Sequence, residues 1–202
     1  LNSGLGGGHQ VLPLDVTAPE AFTQALAQLK DGPPDTAIYM AGLYAPMPIA
    51  EINLPAATQM VAVNLTGAIA FASVLFAAMR SRGTGRLVLC GSIAGYTGLP
   101  GGQPYSATKA GVNNLAESLA AEAEGSGVVV QLICPGFVDT RMTRQNRFAM
   151  PALLSAEQAA TAICTGLQGR AFEIHFPKRL TLAAKLLRLL PYSLALPYLR
   201  RL

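Results

Sequence analysis

Tryptophan is absent from the 202 residues, histidine occurs only twice and cysteine three times. The three thiols, Cys90, Cys134 and Cys164, are far apart, and neither a CxxC pair nor a Cys/His ligand pattern occurs. This scarcity excludes a disulfide framework and a zinc-built fold, so no metal site is expected. The thiols are expected to be reduced core residues of an intracellular, cytoplasmic protein. Charge is also scarce, at 13% of residues, whereas hydrophobic residues make up 51%. That balance excludes disorder and allows one sizeable core. No secretory signal is visible, and no run reads as long and apolar enough to span a membrane. The chain also lacks an initial methionine and opens on Leu1. An upstream segment that is cut off, processed or left out is expected.

Acids are missing from one region altogether. Residues 178–202 hold six basic side chains and no acid, while the remainder carries nine basic against eleven acidic residues, a net −2. The basic character belongs to the tail and not to a nucleic-acid groove, so nucleic acid is not an expected partner.

What is present is an alternation of short apolar runs with helical segments. "HQVLPLDV", "TAIYMAG", "GRLVLCGS", "VVVQLICPG" and "AFEIHFP" read as five strands. Between them "APEAFTQALAQL", a long apolar stretch over 55–83, "PYSATKAGVNNLAESLAAEAEGSG" and "SAEQAATAICTGLQG" read as helices. Ser155 is the expected N-cap of the last. Alternation without hairpin signals predicts a parallel sheet covered by helices on both faces. Ligands of such sheets bind beyond the carboxyl ends of the strands. Asp15, Gly42, Ser92 and Pro135-Gly136 all follow strand runs.

Tyr105 and Lys109 stand four apart at the start of a helix, so they share one face. A nearby ammonium favours a phenolate and is expected to lower the tyrosine pKa from about 10. Ser92 can present a hydroxyl to the same reacting oxygen. The spacing alone is a weak signal, and a half-buried tyrosine beside a solvated lysine is the plainer reading of the pair.

The order of motifs changes that balance. "GSIAGYTGLPGGQPYSATKAGVNNLAESLAAE" followed by "VVVQLICPGFVDTRM" resembles the short-chain dehydrogenase/reductase family over roughly residues 9–177. The resemblance implies an α/β, Rossmann-like doubly wound parallel sheet, with the first strands missing from this numbering. It implies a domain over 1–177, with 178–202 a basic amphipathic extension. The implied activity is interconversion of a carbonyl and an alcohol with NAD or NADP, on a small-to-medium apolar substrate. Tyr105 would be the general acid/base, Lys109 its partner and a ligand of the nicotinamide ribose, and Ser92 the orienting group. Asn64 would hold a proton-relaying water and prop a helix distortion. Asp15 and Val16 would flank the adenine, although Asp15 reads equally as an N-cap. Ala41 and Gly42 would let the backbone approach the cofactor, and Pro135, Gly136, Val138 and Thr140 would lie along it. The implied oligomer is a homo-dimer or homo-tetramer.

The sequence departs from the family in two places. Tyr39-Met40-Ala41-Gly42 stands where Asn-Asn-Ala-Gly is usual, and "GLGGGHQ" at 4–10 is not the phosphate-binding loop, because no helix opens after it. The choice between NAD and NADP is therefore not readable. A sheet without its first strands is expected to expose an edge. Between Thr140 and Ser155, a lid with Met142, Phe148, Met150, Leu153 and Leu154 suggests an apolar substrate. Its Arg141, Arg144 and Arg147 either meet an acidic group or are solvated. In the tail, Leu182, Leu186, Leu189 and Leu190 form an apolar stripe broken by Pro191 and Pro197. The tail packs on a neighbouring subunit, closes over the substrate pocket, or makes peripheral contact with a membrane. A non-catalytic scaffold on the same fold is the rival reading of the whole chain.

Overall fold

The computed structural model describes residues 9–146 and 148–200. Arg147 and the glycines of "GLGGGHQ" lie outside the described residues. The order is α1 (Ala21–Ala27), β1 (Thr36–Tyr39), α2 (Leu54–Val61), a π turn (Ala62–Thr66), α3 (Gly67–Arg82) and β2 (Gly85–Cys90). A 3-10 turn (Ile93–Gly95), α4 (Tyr105–Glu122), β3 (Val128–Pro135), α5 (Ala156–Gln168), β4 (Glu173–Phe176), α6 (Lys178–Leu189) and α7 (Tyr192–Leu199) follow. The four strands pair in parallel in the order β1-β2-β3-β4.

Side chains alternate across a strand, and the sheet sorts its apolar residues accordingly. Leu87 and Leu89 face one core with Phe71, Leu75, Met79, Val112, Ala116 and Leu119. Val88, between them, faces the second core with Ile133, Ala159, Ile174 and Phe176. Helices thus cover both faces, and β3, buried on both, reads as the continuous apolar run expected of a parallel strand.

Local chemistry sets the boundaries. Gly83 ends α3 at φ 77, in the left-handed region that favours glycine. Ser155 caps α5 in a capping box with Gln158. Pro104 precedes α4, and Gly125 lies past its end at φ 72.

Several expectations are corrected. Residues 9–16 form no strand, because among the described residues no neighbour offers that stretch a ladder. Pro191 separates the tail helices, but Pro197 sits inside α7. The helix Leu54–Arg82 is long and apolar enough to cross a membrane, yet half of that span is buried, and it serves as a core helix here. Cys134 is buried as expected, whereas Cys90 is partly exposed and Cys164 exposed. The tail packs on the main body: Thr181 is fully buried and its hydroxyl lies 2.6 Å from His175 Nδ1.

Candidate active site

The carboxyl ends of β1 and β2 meet the first turn of α4. Lys109, only 6% exposed, donates from Nζ to the Cys90 carbonyl at 2.7 Å. The same Nζ stands 5.8 Å from the centre of the Tyr105 ring. Ser92 caps the 3-10 turn through its hydroxyl, which accepts from Ala94 N at 3.1 Å. Its side chain also lies close enough to Tyr105 to influence the titration of the phenol. Tyr105, Lys109 and Ser92 are therefore brought together.

The electrostatics differ from the expectation. Burial pushes the Tyr105 phenol well above its ordinary range, with the neighbouring Cys90 adding to the rise, while the Ser92 side chain pulls the other way. Burial also pushes the Lys109 ammonium down. Desolvation dominates, so the tyrosine is raised and not lowered.

Asn64 lies in the π turn, buried to 1% exposure. Its Nδ2 donates to the Leu43 carbonyl at 2.9 Å and to Thr108 Oγ1 at 3.1 Å. Its Oδ1 accepts from Leu43 N at 2.7 Å. Thr108 in turn donates to the Tyr105 carbonyl at 2.7 Å. Both amide protons are spent, so the side chain props the loop after β1 against α4. The extra residue of a π turn re-aims such a side chain within an otherwise continuous helix.

Three glycines make room. A Cβ on Gly42 would sit 3.6 Å from Asn64 Oδ1 and 3.9 Å from Lys109 Nζ, in the space between them. A Cβ on Gly95 would lie 2.6 Å from the Lys109 carbonyl carbon, so only glycine lets the Ser92 turn rest on α4. A Cβ on Gly91 would strike Asn113, whose Nδ2 donates to the Ser92 carbonyl at 3.3 Å.

The sequence reading missed Gly91, Gly95, Asn113 and Tyr44. Tyr44 stands edge-on to Tyr105, with ring centres 4.7 Å apart. Its hydroxyl donates to Asn146 Oδ1 at 2.8 Å, and its carbonyl accepts from Gln145 at the same distance. The signal available was its place two residues after Gly42, beyond a strand end.

The remaining expected residues are more scattered. Asp15 accepts from Thr17 N at 2.9 Å and Thr17 Oγ1 at 2.7 Å, closing a turn. The helix begins later, behind Glu20, so Asp15 is not its N-cap. Val16 and Ala41 pack against the main core. Pro135 ends β3, and Gly136 N donates to the Phe176 carbonyl at 2.7 Å. Gly136 fits closely against Pro177 and Leu180, where a Cβ would lie 3.1 and 3.0 Å away. Val138 bridges to Leu154, and the Thr140 amide donates to Thr143 Oγ1 at 3.1 Å. On the lid, Phe148 packs edge-on to Phe137 at 5.8 Å. Arg144 pairs with Asp139 at 2.9 Å, in solvent. A cavity of about 620 Å³ lies on the flank of α4, between Ala110, Asn114 and the tail residues Leu187 and Leu196.

The short chain dehydrogenase family description matches residues 3–150. An uncharacterized oxidoreductase of Myxococcus xanthus (strain DK1622) is 32% identical over 183 residues, 90% of this chain and 72% of that protein. An acetoacetyl-CoA reductase of Rhizobium meliloti (strain 1021) is 32% identical over 83% of this chain and 68% of its own length. A short chain dehydrogenase from Burkholderia cenocepacia J2315, solved in complex with NADP, superposes with a TM-score of 0.76 at 27% identity. That match covers 88% of this chain and 75% of the solved one. The chain belongs to the short-chain dehydrogenase family, with its Rossmann-like fold. It is an oxidoreductase of the class that uses NAD or NADP.

The site's donors fit such a group. Lys109 spends one N–H on Cys90, and an ammonium has three. Gly42 leaves open the space beside it that a methyl group would fill.

Proposed function

We propose that the protein interconverts a carbonyl and an alcohol on a small-to-medium apolar substrate, with Tyr105 as general acid/base. The observation that carries this is the half-buried Tyr105, its ring 5.8 Å from the Lys109 ammonium and its side chain beside Ser92. A bound NAD or NADP supplies or takes the hydride at the substrate carbon. In the reducing direction, Tyr105 gives its proton to the substrate oxygen while Ser92 donates a hydrogen bond to it. Lys109 steadies the phenolate left behind and, with its remaining protons, would hold a ribose hydroxyl of the cofactor. Asn64 keeps the loop that carries Ala41 and Gly42 in register with α4, where both would border the cofactor. Asp15 and Val16 would border the adenine end, and Pro135, Gly136, Val138 and Thr140 the nicotinamide end.

Exposed Met142, Phe148 and Leu153 on the lid support an apolar substrate. A 3-oxoacyl thioester is the first class to assay, because the Rhizobium relative is an acetoacetyl-CoA reductase. The free thiols support a reducing, cytoplasmic setting. The test is carbonyl reduction followed by nicotinamide absorbance, with Tyr105→Phe compared. A fall of about 10²-fold or more in kcat with an unchanged fold is expected. A fully active Tyr105→Phe variant overturns the assignment.

A further inference from the structure

The face that α6 turns to solvent is apolar at its centre and basic at its margins. Leu182, Leu186 and Leu189 recur at helical spacing and are 56%, 63% and 79% exposed. Lys178 and Arg179, both exposed, bracket that stripe from either side of the same face. The opposite face is the one that holds the helix to the protein. It carries the buried Thr181, and Lys185, at the flank between the two faces, bonds Glu173 on β4. After Pro191, α7 leaves Tyr192, Leu194 and Tyr198 exposed as well. The tail therefore has one side already used for packing and a second, apolar side that is left largely exposed.

We propose that α6 and α7 dock this face on the surface of an anionic lipid bilayer. The charge pattern selects that occupant. Lys178 and Arg179 stand in the first turn of α6, which has no acidic residue there. Cations at a helix N-terminus oppose the helix dipole, so this pair does not serve the helix itself. Residues 178–202 contain no acid at all. A second copy placed on the same face would bring apolar stripes together, but its own residues 178–202 would offer the basic margins no carboxylate. A bilayer supplies both halves at once: acyl chains for the leucines and phosphate headgroups for side chains that extend outward from the stripe. Tyrosines such as Tyr192, 82% exposed, suit the boundary between the two. The contact is peripheral, because α6 is 12 residues long and cannot span a bilayer.

Flotation of the whole protein with phosphatidylcholine vesicles, with and without phosphatidylglycerol, tests this. Binding is expected with the anionic vesicles only, and it weakens as salt rises. Leu186→Asp is expected to lower it by about tenfold, and Lys178→Glu with Arg179→Glu by roughly thirtyfold or more. Each variant should keep the wild-type circular dichroism and oxidoreductase rate, since these side chains touch neither the core nor the site. Protein that stays out of the floating fraction overturns the proposal. So does equal binding to neutral vesicles, or a concentration-dependent dimer in solution that Leu186→Asp abolishes.

Discussion

Asn64 grips Leu43 by both of its backbone groups, accepting from its N–H at 2.7 Å and donating to its carbonyl at 2.9 Å. One side chain thus stands in for a strand partner at the point where the chain leaves β1. Because Nδ2 also reaches Thr108, on the turn of α4 that carries Tyr105 and Lys109, the loop and the helix are held as one unit. Asn64→Ala leaves two backbone groups without that partner. The expected cost is about 1–3 kcal/mol, read from urea unfolding, with a raised KM for the nicotinamide cofactor. Asn64→Asp keeps the acceptor and loses the donor, and should fall between the two.

The pH profile of the reaction follows from the two shifted groups. Tyr105 is held above its ordinary value and Lys109 below its own, each chiefly by burial. The phenol therefore stays protonated through neutral pH, and the reducing rate should be flat there. The oxidising rate needs the phenolate and should rise as pH rises. Lys109 also leaves a mark on stability. Its folded pKa lies below its unfolded one, so the unfolded chain binds more protons between the two values and stability rises with pH across that window. Wild type should gain on Lys109→Met as pH climbs toward the alkaline end, measured by paired urea unfolding. A constant gap between the two would mean that the Lys109 pKa is the same in the folded and the unfolded chain.

Much of this site could be read along the chain, and the reason is local. Tyr105 and Lys109 are one helical turn apart, so their convergence needs no tertiary information. The four paired strands carry enough β-branched and aliphatic residues to be recognised singly. Residues 9–16 look equally strand-like, but a strand exists only with a partner, and pairing cannot be read from one segment. Gly95 and Asn113 stayed hidden for the same reason. Their importance comes from the contact of the Ser92 turn with α4, which joins residues far apart in sequence. The tyrosine pKa departs from the sequence expectation because proximity to Lys109 is visible in the sequence and burial is not.

Gly95 tests that contact. Its missing Cβ would press on the Lys109 carbonyl carbon at 2.6 Å and Ala110 N at 2.7 Å, both backbone atoms inside α4. Neither can yield without bending the helix, so the turn must lift instead. Gly95→Ala is expected to cost about 1–3 kcal/mol and to lower kcat by carrying Ser92 away from Tyr105. Gly98 lies three residues on and has nothing within 4 Å of its Cβ position. Gly98→Ala should therefore match wild type in thermal unfolding and rate. Equal behaviour of the two variants would mean that the turn is not seated on α4 in solution.

Glu173 joins the tail to the site's supporting turn. Its carboxylate receives Lys185 from α6 and the hydroxyl of Tyr96, which follows the 3-10 turn after Ser92. Burial alone would push this carboxyl up, but the hydrogen bonds from Lys185 and Tyr96 overcome it and hold it below the ordinary glutamate value. A depressed carboxyl contributes stability above its unfolded pKa and loses it as pH falls through the folded one. Lys185→Met removes one of the groups that hold Glu173 down, and burial then works unopposed from that side. At neutral pH the variant should be less stable by about 1–2 kcal/mol, a figure discounted because the Lys185 side chain is 35% exposed. The difference should close as acid protonates Glu173 in both proteins. Urea unfolding of the pair at neutral and acid pH gives the answer. A gap that persists unchanged into acid would assign the loss to the packing of the Lys185 stem over Tyr96 and not to its charge.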